Sequence, residues 1–63
     1  MTIELLYKNG SNTFIENIKN VNVGKKVYFA IDGEAVTIKI EDLKTVTIFT
    51  DDWKTTIRHW VFK

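Results

Sequence analysis

The sequence predicts an all-β chain, a small antiparallel sheet or small barrel of five to six strands, in one domain covering residues 1–63. Val27, Phe29 and Ile31 alternate with polar residues, as do Val36, Ile38 and Ile40, on either side of Asp32-Gly33-Glu34. That is the period of a strand and the punctuation of a hairpin. A second observation is a near-repeat: IENIKNVNV at Ile15 to Val23 and IEDLKTVTI at Ile40 to Ile48, each preceded by an Asn-Gly or Asp-Gly turn. Two similar hairpin-turn-strand units follow from it. A third is the absence of Pro, linkers and low-complexity stretches, which leaves no boundary for a second domain.

Size limits what such a domain can do. A chain of 63 residues buries about 60% of the surface it exposes unfolded, so its stability margin is thin and a deep cleft is not expected. There is no Cys and a single His, which removes disulfides and a structural metal as supports. Regular sheet packing or association with another chain must supply the difference.

The elements follow in order. Thr2 to Tyr7 is a short apolar run closed by Lys8-Asn9-Gly10-Ser11-Asn12, hence a strand and a turn. Thr13 to Glu16 returns as the second arm, with Asn9-Gly10 accepting positive φ at the bend. In the central hairpin, a bend at Gly33-Glu34 sets Phe29 opposite Ile38, whereas a bend at Asp32-Gly33 sets Phe29 opposite Val36 and Val27 opposite Ile38. Both registers keep the same residues on the core face.

Ile15 to Ile18 and Ile40 to Leu43 are each three apart, the spacing of one helical turn. We therefore expect a 3₁₀-like turn in each, with Ile18 or Leu43 plugging an end of the core. Gly24 allows a tight reversal from Val21 and Val23 into Lys26, with one bulged residue to keep the apolar faces aligned.

The last third admits two forms. A bend at Asp51 to Lys54 followed by a strand places Ile48 opposite Ile57 and Val46 opposite His59. Alternatively Trp53, Ile57, Trp60 and Val61 form one face of a short C-terminal helix capped by Thr50 or Asp51, giving an α+β chain. The β-branched run Thr55-Thr56-Ile57 favours the strand. In that register Phe49, Trp60 and Phe62 point away from Ile48, Ile57 and Val61, together with Arg58 and Thr47, and Trp53 lies at the bend above them.

The segment VTIKIEDLKTVTI, a strand running through one acidic turn into another strand, resembles the end of SH3-like and Sm-like small barrels. The resemblance is confined to Val36 to Ile48 and implies a fold but no function. Sm-like barrels form rings and bind RNA, yet no Sm signature motif can be matched here, so no family is assigned.

Little in the chain carries chemistry. The only Ser is Ser11 in a turn and the only His is His59 in the final segment, so a nucleophile with its base is not in view. The acid pairs Glu41-Asp42 and Asp51-Asp52 sit at turns, where Asp commonly bonds its own backbone. We expect no enzyme, no cofactor and no metal.

Nine Lys and Arg against eight Asp and Glu give a formal charge of +1, which steers neither polyanions nor membranes strongly. No apolar run approaches the roughly 20 residues of a membrane span, and the TIELLY start lacks the basic and apolar regions of a signal peptide. The expected location is the cytoplasm.

Surplus aromatics are the remaining signal. Phe49, Trp53, Arg58, Trp60 and Phe62 would form an anchor face of the kind protein interfaces use. The function expected first is a non-enzymatic protein-interaction module, self-associating as a homo-oligomer or binding a protein partner, of the kind found among small bacterial or phage accessory and regulatory proteins. The alternative is a single-stranded nucleic-acid-binding small barrel, with Trp60, Phe62 or Tyr28 stacking on bases and Lys25, Lys26, Lys54, Arg58 and Lys63 along the backbone.

Overall fold

In the computed structural model, which describes residues 1–62, the chain forms seven strands. These are β1 (Thr2–Tyr7), β2 (Asn12–Ile15), β3 (Lys19–Val23), β4 (Lys26–Ile31), β5 (Glu34–Lys39), β6 (Leu43–Phe49) and β7 (Thr56–Val61), with a 3₁₀ turn at Ile40–Asp42 before β6. They make two antiparallel sheets, one ordered β2-β1-β6-β7 and the other β3-β4-β5. The sheets are not closed into a barrel. The count of seven exceeds the expected five to six, and Asn17, at φ 59°, separates β2 from β3, which join different sheets. No helix among the described residues is long and apolar enough to cross a membrane.

Turn chemistry fixes the β1-β2 and β4-β5 hairpins. Gly10 takes φ 91° and its N–H donates to the Tyr7 carbonyl at 3.0 Å, while Asn9 Oδ1 accepts the Ser11 N–H at 2.9 Å. Asp32 and Gly33, at φ 52° and 79°, form the two-residue turn that pairs Ile31 with Glu34, and this selects the register with Phe29 opposite Val36. Positive φ at both central positions matches the twist of the flanking strands.

The 3₁₀ turn appears at Ile40–Asp42 but not at the earlier segment, where Asn17 makes the bend alone. A single left-handed residue redirects the chain there from one sheet to the other, so no helical turn is needed. Ile18 and Leu43 are both buried, at 1% and 0% exposure. The bulge expected near Gly24 lies earlier in β3, between Lys19 and Asn22, where Asn20 has φ 57°. The inner surfaces of the sheets meet over Ile3, Leu5, Ile18, Val27, Phe29, Leu43, Val46 and Ile48.

The C-terminal segment is the strand β7, and the alternative helix is not formed. Trp53, which would have begun its apolar face, has φ 64° in the loop.

Candidate interaction surface

A bulge decides what the C-terminal hairpin presents. Its loop closes as the spacing predicts: the Thr50 N–H donates to the Thr55 carbonyl at 2.9 Å, enclosing residues 51–54. Asp52 accepts the Thr50 hydroxyl and, at 3.0 Å, the Lys54 N–H. These two bonds hold its carboxyl below the ordinary value.

Phe49 then pairs with Thr56, but Ile48 pairs with Arg58, so Ile57 is an extra residue in the ladder. Beyond that bulge every partner is shifted by one: Val46 faces Trp60 and Thr47 faces His59, where Val46 with His59 and Ile48 with Ile57 had been expected. A slip of one residue exchanges the two faces of a strand.

The five aromatic and Arg positions are therefore divided. Arg58 and Trp60 lie on the core side with Ile48 and Val46, and Trp60 and Phe62 pack against the core as half-buried rings. Phe49 remains on the outer face, where Trp53 stacks on it with ring centroids 5.8 Å apart. Phe14 of β2 is the third member of that outer group, 5.1 Å from Trp53. Its role was not legible, because the pairing depends on β1 lying between β2 and β6. On the same face Thr47 Oγ1 and His59 Nδ1 share a 2.7 Å hydrogen bond.

On the core side a groove of about 240 Å³ opens between the end of β3 and the first half of β7. Val21 and Val23 line one wall; Ile57, Arg58 and Trp60 line the other. The Arg58 guanidinium lies 4.9 Å from the centre of the Trp60 ring, which holds both over the opening. Val21 and Val23 are only partly buried there, and nothing in the sequence of β3 marks the groove.

The outer rim of this groove is an unpaired strand edge. Strands β2, β3, β5 and β7 all lie at sheet edges. β2 is short at four residues, β3 is kinked at Asn20, and β5 exposes Glu34, Ala35, Thr37 and Lys39. β7 instead exposes Ile57 at 46% and Val61 at 67%. The Phe62 N–H donates to the Lys44 carbonyl at 2.9 Å. By the alternation of an antiparallel ladder, Trp60 and Arg58 also face β6, and the amides of His59 and Val61 face outward. Long apolar edges of this kind are templates for a further strand.

Among the described residues no three His, Cys, Asp or Glu side chains converge as metal ligands. The chain matches no protein-family model, no curated protein and no solved structure.

Proposed function

We propose that the chain is a non-enzymatic protein-interaction module whose contact surface is the free edge of β7 and the groove beside it. One observation carries this: an edge strand of six residues holds two large apolar side chains in solvent, Ile57 and Val61. Added backbone pairing would supply affinity along the edge, and the groove would supply side-chain selectivity through Ile57, Arg58 and Trp60. The anchor set thus becomes Ile57, Arg58, Trp60 and Val61, while Phe49 and Trp53 belong to a separate outer cluster.

Ile57→Lys at this edge should abolish association of the chain with itself or with a co-purified protein, read by solution mass and by pull-down. Trp53→Ser in the outer cluster should leave it intact. The reverse pattern would overturn the assignment. A salt-sensitive affinity for single-stranded oligonucleotides, lost with Trp53→Ser and kept with Ile57→Lys, would favour nucleic-acid stacking on Phe14 and Trp53 instead.

A further inference from the structure

We propose that the outer face of the three-stranded sheet β3-β4-β5 is a platform for single-stranded nucleic acid, with Tyr28 stacking on a base and Lys19, Lys26 and Lys39 contacting phosphates. This surface lies on the other sheet from the β7 edge, so the proposal goes beyond the interaction-module reading and does not depend on it.

The alternation of exposure fixes which side chains share the face. Val27 and Phe29 of β4 are buried in the core, so Lys26, Tyr28 and Ala30 point away from it. Their cross-strand partners come with them: Lys39, Thr37 and Ala35 on β5, and Asn22 and Lys19 on β3. The face is thus three rows, spaced about 7 Å along the strands. Lys26 and Lys39 form the first row, Asn22, Tyr28 and Thr37 the second, and Lys19, Ala30 and Ala35 the third. Tyr28 is 46% exposed, and the next residues beside it on β4 and β5 are alanines, too small to cover its ring.

A formal charge of +1 for the whole chain hides how unevenly that charge is spread. Counting back from the Asp32-Gly33 turn, Lys26 and Lys39 form a non-hydrogen-bonded pair, the kind in which facing side chains stand closest. Like charges directly opposite one another destabilise a sheet. Lysines on edge strands guard against unwanted strand pairing, but Lys26 belongs to the central strand β4, which has no free edge to guard. No carboxylate relieves the pair either. Among the described residues the only ion pair joins the Met1 amino group to Asp51. Asp32 lies at the hairpin tip beyond the alanine row, Glu34 opposes Ile31 on the other face, and Glu41 belongs to the 3₁₀ turn. Lys25, in the reversal that leads into β4, adds a further positive charge at the Lys26 end.

These charges select a polyanion, and the tyrosine selects its kind. An acidic peptide would satisfy the lysines and leave Tyr28 without a role. An anionic lipid surface would find one ring and two alanines to bury among polar neighbours. A single nucleic-acid strand uses both features, with phosphates on the lysines at the two ends and an unpaired base on the ring between them.

The test is the affinity of the intact chain for a short fluorescent oligothymidylate, read by anisotropy across a salt series. The logarithm of the association constant should fall with the logarithm of salt concentration at a slope of about −2, as expected for about three phosphate contacts. Lys26→Glu sets opposite charges across the strands, so it should raise the urea midpoint of unfolding while weakening binding about tenfold or more. A lysine with only a structural role would not move the second reading. Tyr28→Thr should weaken binding about tenfold, the loss of one stacked base, with unchanged circular dichroism. Should Lys26→Glu fail to fold, Lys26→Gln serves instead, by flattening the salt slope by about 0.7.

Trp53→Ser and Ile57→Lys should both leave the affinity as it is. Absence of oligothymidylate binding overturns the inference, as does binding that ignores salt, that survives both the Lys26 and Tyr28 substitutions, or that is lost with Trp53→Ser. Equal affinity for oligoglutamate, or binding to phosphatidylserine vesicles in place of the oligonucleotide, overturns it in favour of another polyanion. The β7 reading is judged separately, by solution mass and pull-down of the Ile57→Lys chain, and neither result decides the other.

Discussion

The segments Ile18 to Val23 and Leu43 to Ile48 have nearly the same apolar pattern and different fates. Each begins with a fully buried plug, Ile18 or Leu43, and each then has a register irregularity that lets residues three apart reach the same interior. In β6 the extra residue is Lys44, skipped between the pairs Tyr7 with Leu43 and Leu6 with Thr45. In β3 the extra residue lies between Lys19 and Asn22. From there they diverge. β6 is flanked by β1 and β7, and Val46 and Ile48 are 0% and 4% exposed, whereas β3 has only β4 beside it and Val21 and Val23 remain partly open. Burial depth is set by how many strands flank the segment, and the poorly flanked copy is the one that leaves a groove.

Substitution can break or sharpen this contrast. The largest effects should come from the plugs, where the two segments agree: Leu43→Ala and Ile18→Ala should each cost about 2–5 kcal/mol of unfolding free energy, measured by urea denaturation. A small loss at either one would show that its end of the core can collapse around the missing side chain. The strands themselves should differ. Val46→Ala should cost about 2 kcal/mol and Val21→Ala less than about 1 kcal/mol, in proportion to the area each buries. Equal losses would erase the distinction between flanked and edge positions.

The smallest effect should come from the loop that leads into β7. Because the Thr50 hydroxyl and Lys54 N–H lower the native pKa of Asp52, the carboxylate contributes stability that is present above its unfolded-state pKa. That contribution is lost as pH falls through the lower native value. Asp52→Asn should flatten this part of an acid titration of stability while changing little at neutral pH, since the group is fully exposed. An unchanged acid profile would mean that the loop bonds do not persist in solution.

Legibility in the sequence followed the range of the interactions. The Asn9-Gly10 bend and the closure of residues 51–54 depend on neighbours along the chain and sit where composition places them, and the central bend falls on Asp32-Gly33, one of the two positions that composition allowed. The plugs were readable too, because Ile18 and Leu43 break the alternation at the same place in each copy. The aromatic face was not. It was expected as one group because an unbroken ladder would put Phe49, Trp60 and Phe62 together, and the Ile57 bulge sends the last two to the core side. Nothing in TTIRHWVF marks Ile57 as the extra residue.

By itself, then, the order of amino acids determined the all-β class, the sites of the main bends and the two plugs Ile18 and Leu43, because backbone preference and two-residue periodicity act locally. The three-dimensional arrangement decided which sheet each strand joined, which face each ring occupied and which edge was left unpaired. Those outcomes depend on a one-residue bulge and on which strands lie alongside one another, and both are set by contacts between parts of the chain far apart in sequence.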